Sequence, residues 1–348
     1  HLTSAVQFGF IFGTLIFAIL TIADRFPPSK VFFICGLLGA LFNLAVILEG
    51  NTLTSILSLR FATGFFLAGI YPVGMKIAAD YFEKGLGKSL GFLVGALVLG
   101  TAFPHLAKEI TDAIPWKSVL IVTSSLATIG GLLMLILVPN GPYRTSGGKL
   151  NLSASFHVFK NRKFRSAAFG YFGHMWELYA FWAFVPIILT TYSLQHQITL
   201  NIPLLSFAII AIGAFGCVLG GYLSQRLGTK RTANLALTLS AVCCILSPLF
   251  FLIESEVLFI GFLFVWGIVV IADSPLFSTL VAQNASAEVK GSALTIVNCI
   301  GFSITIISIQ LLNVLQESTN PVYIYTLLAI GPILGLVGSF ERKSSSKT

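Results

Sequence analysis

Charged residues are scarce in this sequence. They make up 10% of its 348 residues, and the mean hydropathy is +0.91. Soluble domains carry about 25% charged residues, so most of this protein's surface cannot face water. The composition therefore excludes an ordinary soluble domain and predicts a protein whose surface mostly faces lipid.

Short alternating segments typical of membrane β-barrels are also missing. The chain instead contains apolar runs of about 20 residues, each long enough to cross a bilayer as an α-helix. We therefore predict an all-α membrane protein. Its visible spans are 4–23, 31–49, 52–79, 88–107, 117–138, 166–191, 203–224, 232–253, 257–281, 291–315 and 320–340.

Cysteine is rare, and sequence signals for metals, nucleotides and secretion are absent. All five cysteines lie inside apolar runs, where thiols behave as small hydrophobic groups. No Cys/His spacing indicates zinc, and no G-x-x-x-x-G-K-[ST] motif indicates ATP. No signal peptide is visible. We expect no disulfide, no metal and no cofactor.

The distribution of basic residues predicts the orientation in the membrane. A polar, basic stretch, 139–165, separates two groups of spans. Of the 21 Lys and Arg residues, all but Lys108, Lys117 and Arg60 are assigned to the side that holds this stretch. That side, with the C-terminus, is expected to be cytoplasmic. The net charge of +8 thus reflects topology, and we expect no nucleic-acid partner.

The odd number of spans carries a further expectation. With the C-terminus in the cytoplasm, His1 falls on the outer side. A protein with both ends in the cytoplasm needs one more helix before His1, so we expect the complete protein to contain it.

Two similar segments lie about 200 residues apart. Ala23-Asp24-Arg25-Phe26 and the following Lys30 end the first visible span, and residues 220–231 (GGYLSQRLGTKR) end the seventh. Ile70-Tyr71-Pro72 and Asp273-Ser274-Pro275 form a second pair at a similar separation. Such spacing is typical of transporters built from two repeated six-helix halves.

These motifs resemble the major facilitator superfamily, whose loop motif reads G-x-L-a-D-r-x-G-r-k. The first copy keeps Asp24, Arg25 and Lys30, and the second keeps Gly221, Arg226, Gly228 and Lys230 but has Gln225 at the acidic position. Residues 60–64 (RFATG) also match the family's fourth-helix pattern. The resemblance covers the whole chain.

The resemblance implies a two-bundle fold with eleven of twelve transmembrane helices present. The expected parts are an N-terminal bundle at 1–142, a cytoplasmic linker at 143–164 and a C-terminal bundle at 165–348. It implies a monomeric secondary transporter of the plasma membrane that moves a small solute by alternating access, with protons as the simplest driving ion. A transporter-like sensor or scaffold, and a membrane enzyme, are the alternatives. Symport and antiport both stay open.

The segment 173–182 (GHMWELYAFW) is the foremost candidate for a solute or proton site. Glu177 lies about 18 Å along a helix from Arg165, near the middle of the bilayer. His174 lies on the same helix face, and Trp176 and Tyr179 are candidates to line a cavity. An unpaired buried carboxylate is suited to carry a proton. The alternative is a structural hydrogen bond between Glu177 and His174.

Other candidates are less sharply defined. Arg60, inside a span, is suited to attract an anion or to reach the interface. Asp273 is a second intramembrane acid or a cap where a helix breaks near Pro275. Tyr71 and Asn298 are weaker polar candidates for the pathway. Asp24 and Arg25 either hold one conformer or simply anchor a helix end.

Overall fold

The computed structural model describes residues 2–110, 115–144 and 157–339. Its helices in the first part of the chain are α1 (Leu2–Ile19), α2 (Ile22–Arg25), α3 (Pro28–Ala45), α4 (Leu53–Leu67), α5 (Tyr71–Tyr81), α6 (Leu86–Ile110) and α7 (Trp116–Leu137). The later helices are α8 (Arg162–His196), α9 (Ile202–Leu227), α10 (Thr229–Leu252), α11 (Glu256–Ala272), α12 (Ser274–Asn284), α13 (Lys290–Ser318) and α14 (Ile330–Ser339). Short 3-10 turns cover Val158–Lys160, Ala287–Val289 and Ile324–Ala329.

Every apolar run of the sequence forms helix within the described residues. In the described parts of the chain, nine helical segments are long and apolar enough to cross a membrane, and Ala5–Ile19 and Ile324–Ser339 are shorter apolar helices. Helix α7 presents large side chains such as Leu126 and Ile136 at 61% and 67% exposure. Lipid covers such a surface, so the all-α membrane fold is confirmed.

Helix breaks occur at both Pro-containing motifs of the repeat. Helix α4 ends at Leu67 and α5 begins at Tyr71, followed by Pro72. Helix α11 ends at Ala272, and α12 begins at Ser274, followed by Pro275. Proline suits the first turn of a helix because its missing N–H has no intrahelical partner there. The two motifs therefore mark the same structural feature in the two halves of the sequence.

Contacts divide the described residues into two compact units that are not continuous in sequence. The first lies within His1–Leu86, Ile110–Val158 and Ala282–Ser303, and the second within Gly87–Glu109, Phe159–Val281 and Ile304–Thr348. In the first unit α1 packs on α4, and α3 packs on α4 and α7; in the second, α8 packs on α14, and α11 on α9 and α10. The division into 1–142, 143–164 and 165–348 stays a prediction, and residues 145–156 of the linker lie outside the described ranges.

Two glycines allow α1 and α4 to approach closely. A Cβ atom on Gly64 would collide with the backbone of Val6, and a Cβ on Gly9 would collide with the backbone of Phe61. Small residues permit this kind of contact between membrane helices, where van der Waals packing drives association. The glycine of the RFATG pattern is therefore a packing residue.

We expect Gly64→Ala to lower the stability of the protein by about 1–3 kcal/mol, because the added methyl forces the two backbones apart. Gly130→Ala is the matched control, since nothing lies within 4 Å of a Cβ at that position. Thermal unfolding in detergent should show a lower midpoint for the first variant alone. Equal midpoints for both variants would contradict the close α1–α4 contact.

Candidate functional site: buried carboxylates in two helical units

Helix α8 carries the main candidate residues and packs through glycine on α14. Gly173 and Gly331 face each other so closely that a Cβ on either would collide with the carbonyl of the other. The turn that follows Gly173 places His174 and Glu177 in the interior of the second unit, each only 1% exposed. The local sequence thus fixes which face of α8 is turned away from α14.

Glu177 is held by three donors from two other helices. Its Oε1 accepts hydrogen bonds from Ser240 Oγ at 2.5 Å, Trp266 Nε1 at 2.7 Å and Cys244 Sγ at 3.2 Å. The expectation of an unpaired carboxylate is therefore wrong. The donors lie on α10 and α11, far from Glu177 in sequence, and helical periodicity gave no signal for them.

All three donors to Glu177 are uncharged. Burial penalises the ionised carboxylate, while the three donors stabilise it without neutralising its charge. A serine hydroxyl can also turn and accept a hydrogen bond, so Ser240 is able to serve a protonated carboxyl as well. This surrounding can therefore accommodate Glu177 in both protonation states.

His174 contacts Asp273 rather than Glu177. Its Nδ1 lies 2.8 Å from Asp273 Oδ1, and both side chains are 1% exposed. The structural alternative of a Glu177–His174 hydrogen bond is thus wrong. Asp273 does lie at the predicted helix break, as the cap residue between α11 and α12, but its carboxylate faces the imidazole. At the break between α11 and α12, the carboxylate of Asp273 thus contacts α8.

Three polar atoms of this pair, His174 Nε2 and both carboxylate oxygens of Asp273, make no hydrogen bond among the described residues. The approach of His174 Nδ1 to Asp273 Oδ1 is an ion-pair contact by distance. Leaving a buried donor or acceptor unsatisfied costs about 1–3 kcal/mol, so native proteins rarely keep one without a role. Asp273 also acts electrostatically on Glu177. We call His174, Asp273 and Glu177, which are three buried ionisable side chains of the second unit, the α8 cluster.

The remaining α8 candidates face other surroundings. Trp176 Nε1 donates to the carbonyl of Leu327 at 3.2 Å, which directs this ring toward the 3-10 turn before α14. Tyr179 packs edge-on against Trp182 with ring centroids 5.2 Å apart. Neither ring contact involves the carboxylates of the α8 cluster.

The candidates Arg60, Tyr71 and Asn298 belong to the first unit. Arg60 Nη1 donates to Asn43 Oδ1 at 2.7 Å, and Asn43 in turn donates to Ser124 Oγ at 3.0 Å. Arg60 thus has an uncharged partner on α3, which spacing alone did not indicate. Tyr71 is the first residue of α5, and Asn298 donates to the carbonyl of Leu294 one turn earlier in α13.

Asp24 contacts the first turn of α13. Its carboxylate accepts from the backbone N–H groups of Gly291 and Ser292 at 2.9 and 2.8 Å, and from Ser292 Oγ at 2.7 Å. Burial raises the pKa of the Asp24 carboxyl, whereas the Ser292 hydrogen bond and the charge of Lys76 act against that shift. An anion at a helix N-terminus is stabilised by the helix dipole. The contact is compatible with both sequence alternatives, so the conformer-holding role stays a prediction.

The second motif copy lacks this contact. Gly221 lies so close to Gly87 and Lys88, in the first turn of α6, that a Cβ would press on their backbone. Gly228 ends α9 with a φ of 89°, a conformation that glycine adopts at little cost. Gln225, at the position of Asp24, is exposed. Only the first copy thus bonds a helix N-terminus with a carboxylate.

The basic residues of both motifs lie at the surface. Arg25, Lys30 and Arg226 are exposed, and Lys230 is half-buried. Arg25 lies 6.0 Å from the ring centroid of its neighbour Phe26. Within the described residues Arg25 and Lys30 form no ion pair with Asp24.

Comparison with known proteins identifies the sequence family. The family model described as Major Facilitator Superfamily matches residues 1–309. No curated protein matches the chain in sequence.

Solved structures resemble the fold over 97% of this chain. The E. coli fucose:proton symporter FucP matches with a TM-score of 0.69, 14% identity and 89% of its own length. A second FucP structure, described as a transporter in the outward conformation, matches with a TM-score of 0.71 and 15% identity over 88% of its own length. The human organic anion transporter MFSD10 (TETRAN) matches with a TM-score of 0.74 and 15% identity over 82% of its own length. At such identities the likeness establishes the fold alone.

We expect Asp24→Asn to free the first turn of α13, because a carboxamide has no charge and only one acceptor oxygen for three donors. Hydrogen–deuterium exchange of a peptide containing Gly291 and Ser292 should accelerate. Ser292→Ala, which removes one donor of three, should have a smaller effect. Gln225→Asn is the control from the second motif copy and should leave exchange unchanged. Wild-type exchange in Asp24→Asn would favour simple anchoring.

Proposed function

Because the chain belongs to the Major Facilitator Superfamily, we propose that it moves a small solute by alternating access and couples this movement to protons through the α8 cluster. By its family and fold, the chain is a multi-pass membrane protein of a transporter family. Its proposed location is the plasma membrane, where it acts as a monomer. The distribution of Lys and Arg supports a cytoplasmic C-terminus.

The observation that carries the proton proposal is the surrounding of Glu177. It is a fully buried carboxylate on α8 whose hydrogen bonds all come from uncharged donors. No described cation lies within 4 Å of it. Gaining a proton inside a low-dielectric site removes an uncompensated charge, and losing it is favoured when water enters. Glu177 is therefore suited to load and release a proton as access alternates.

The His174–Asp273 pair supplies a second carboxylate that can take part in this proton exchange. Histidine changes charge near neutral pH, and its Nδ1 already contacts Asp273. Because Asp273 and Glu177 act on each other electrostatically, ionising both carboxylates at once is costly. We propose that protonation of one carboxylate eases ionisation of the other. His174, which contacts Asp273, would influence which of the two carboxylates holds the proton.

The functions of two structurally similar proteins define the first solutes to test. FucP is described as a fucose:proton symporter and MFSD10 as an organic anion transporter. Proteoliposomes containing the purified protein and an internal pH-sensitive dye can be exposed to sugars and to organic anions in turn. Proton movement that depends on one solute would support coupled transport. Binding of a solute without any flux would favour a sensor or scaffold.

We expect Glu177→Gln to abolish accumulation driven by an imposed pH gradient, because glutamine keeps the shape of the protonated side chain but cannot release a proton. Solute–solute exchange should survive, since it needs no net proton release. His174→Ala should shift the pH optimum of transport. Accumulation and exchange are measured side by side with radiolabelled solute.

Glu317→Gln is the matched control, because Glu317 is an exposed acid in the last turn of α13. It should leave both rates at the wild-type level. Accumulation that persists in Glu177→Gln would exclude Glu177 as the coupling group. Asp273→Asn would then be the next variant to measure, and loss of accumulation there would assign the proton to the pair with His174.

A further inference from the structure

The first unit contains a cavity that the proposed proton cluster does not use. Its volume is about 680 Å³, and it lies where α5 and α12 end and α13 begins. Small-molecule sites have volumes of about 300–1,000 Å³. None of the residues of the α8 cluster lines this cavity.

The walls of this cavity are strongly cationic. Lys84, Arg144 and Lys290 line it, against a single acid, Glu83. Within the described part of the chain, none of these three cations has an acidic oxygen within 4 Å. Asp80, which is nearby in sequence, is already occupied by Lys76 Nζ at 2.5 and 2.7 Å. The cavity therefore holds a net positive charge that no described carboxylate neutralises.

Arg144 is held in place by a segment tied to α5. Tyr81 Oη donates to the carbonyl of Pro139 at 2.6 Å, and the N–H of Tyr143 donates to the carbonyl of Asp80 at 3.0 Å. The N–H of Arg144 closes a turn by donating to the carbonyl of Gly141. Its guanidinium Nε is buried and has no described acceptor. A guanidinium with an unused N–H group on an anchored backbone segment is suited to bind phosphate through two parallel hydrogen bonds.

Two aromatic rings complete the lining. Phe82 and Tyr143 are 46% and 47% exposed, although both border the cavity. Partly exposed ring faces can pack against the organic part of a ligand, while the cations bind its anionic group. The volume also leaves room for much more than an inorganic ion. These features together favour a phosphorylated organic molecule.

We propose that this cavity binds a molecule carrying a phosphate group, with Arg144 as the bidentate donor and Lys84 and Lys290 as ion-pair partners. Lys290 directly precedes Gly291, whose N–H bonds Asp24. A bound phosphate would thus connect the end of α5 to the first turn of α13 and stabilise the Asp24 contact. The proposal concerns binding and does not rest on the proposed transport activity.

The experiment compares soluble and lipid sources of phosphate. The full chain is placed in nanodiscs of neutral phosphatidylcholine and titrated with inorganic phosphate or adenosine monophosphate, while thermal unfolding and calorimetry report binding. A second set of nanodiscs contains phosphatidylglycerol. Binding of adenosine monophosphate in neutral nanodiscs would support a soluble ligand, and an unfolding midpoint raised only by phosphatidylglycerol would support a lipid headgroup.

Variants assign the binding to this cavity. Lys84→Gln, Arg144→Gln and Lys290→Gln combined should weaken binding at least about tenfold, because each removes a charged hydrogen-bond donor. Arg144→Lys should lose less binding affinity, because it keeps the positive charge. This variant also shows whether the loss in the triple variant comes from a folding defect. The control combines Lys160→Gln, Lys163→Gln and Arg231→Gln, three exposed cations outside the cavity. Equal loss in both triple variants, or no binding of any probe to the wild type, would overturn the proposal.

Discussion

The structure depends on how it compensates a few buried charges in a chain that is otherwise apolar. Among the described residues the buried charged or titratable side chains include Asp24, Lys76, Asp80, Glu177 and Asp273, together with His174. Lipid offers no water to solvate such groups, so each must find its partner within the protein. The helices that supply these partners are therefore brought into contact by electrostatics as well as by packing.

The partners differ in kind, and the difference separates structural from functional roles. Asp80 has a lysine one turn away, and Asp24 has the N-terminus of α13. Both arrangements place a positive group or a helix N-terminus against the carboxylate. Glu177 has only uncharged donors, and Asp273 faces the imidazole of His174. The α8 cluster is thus the place where a change of protonation costs least in lost ion pairs, which supports its proposed role in coupling.

The spans, their order and the helix break near Pro275 could be predicted from sequence because they follow from local composition. The break before Pro72 and the close helix contact at the glycine of RFATG were not predicted. The partners of the candidate residues could not be predicted. Ser240, Cys244 and Trp266 reach Glu177 across 63 to 89 residues, and Ser292 reaches Asp24 across 268. Helical periodicity indicates which face a residue occupies but not which helix meets that face.

The central claim is that Glu177 exchanges a proton while the surrounding fold is kept. Infrared difference spectroscopy of the protein between acidic and alkaline pH tests this claim most directly, since a protonated carboxyl has a carbonyl band separate from the amide bands. The account predicts a carboxyl band that titrates in the wild type, is lost in Glu177→Gln and is unchanged in Glu317→Gln. A titrating band that persists unaltered in Glu177→Gln would contradict it.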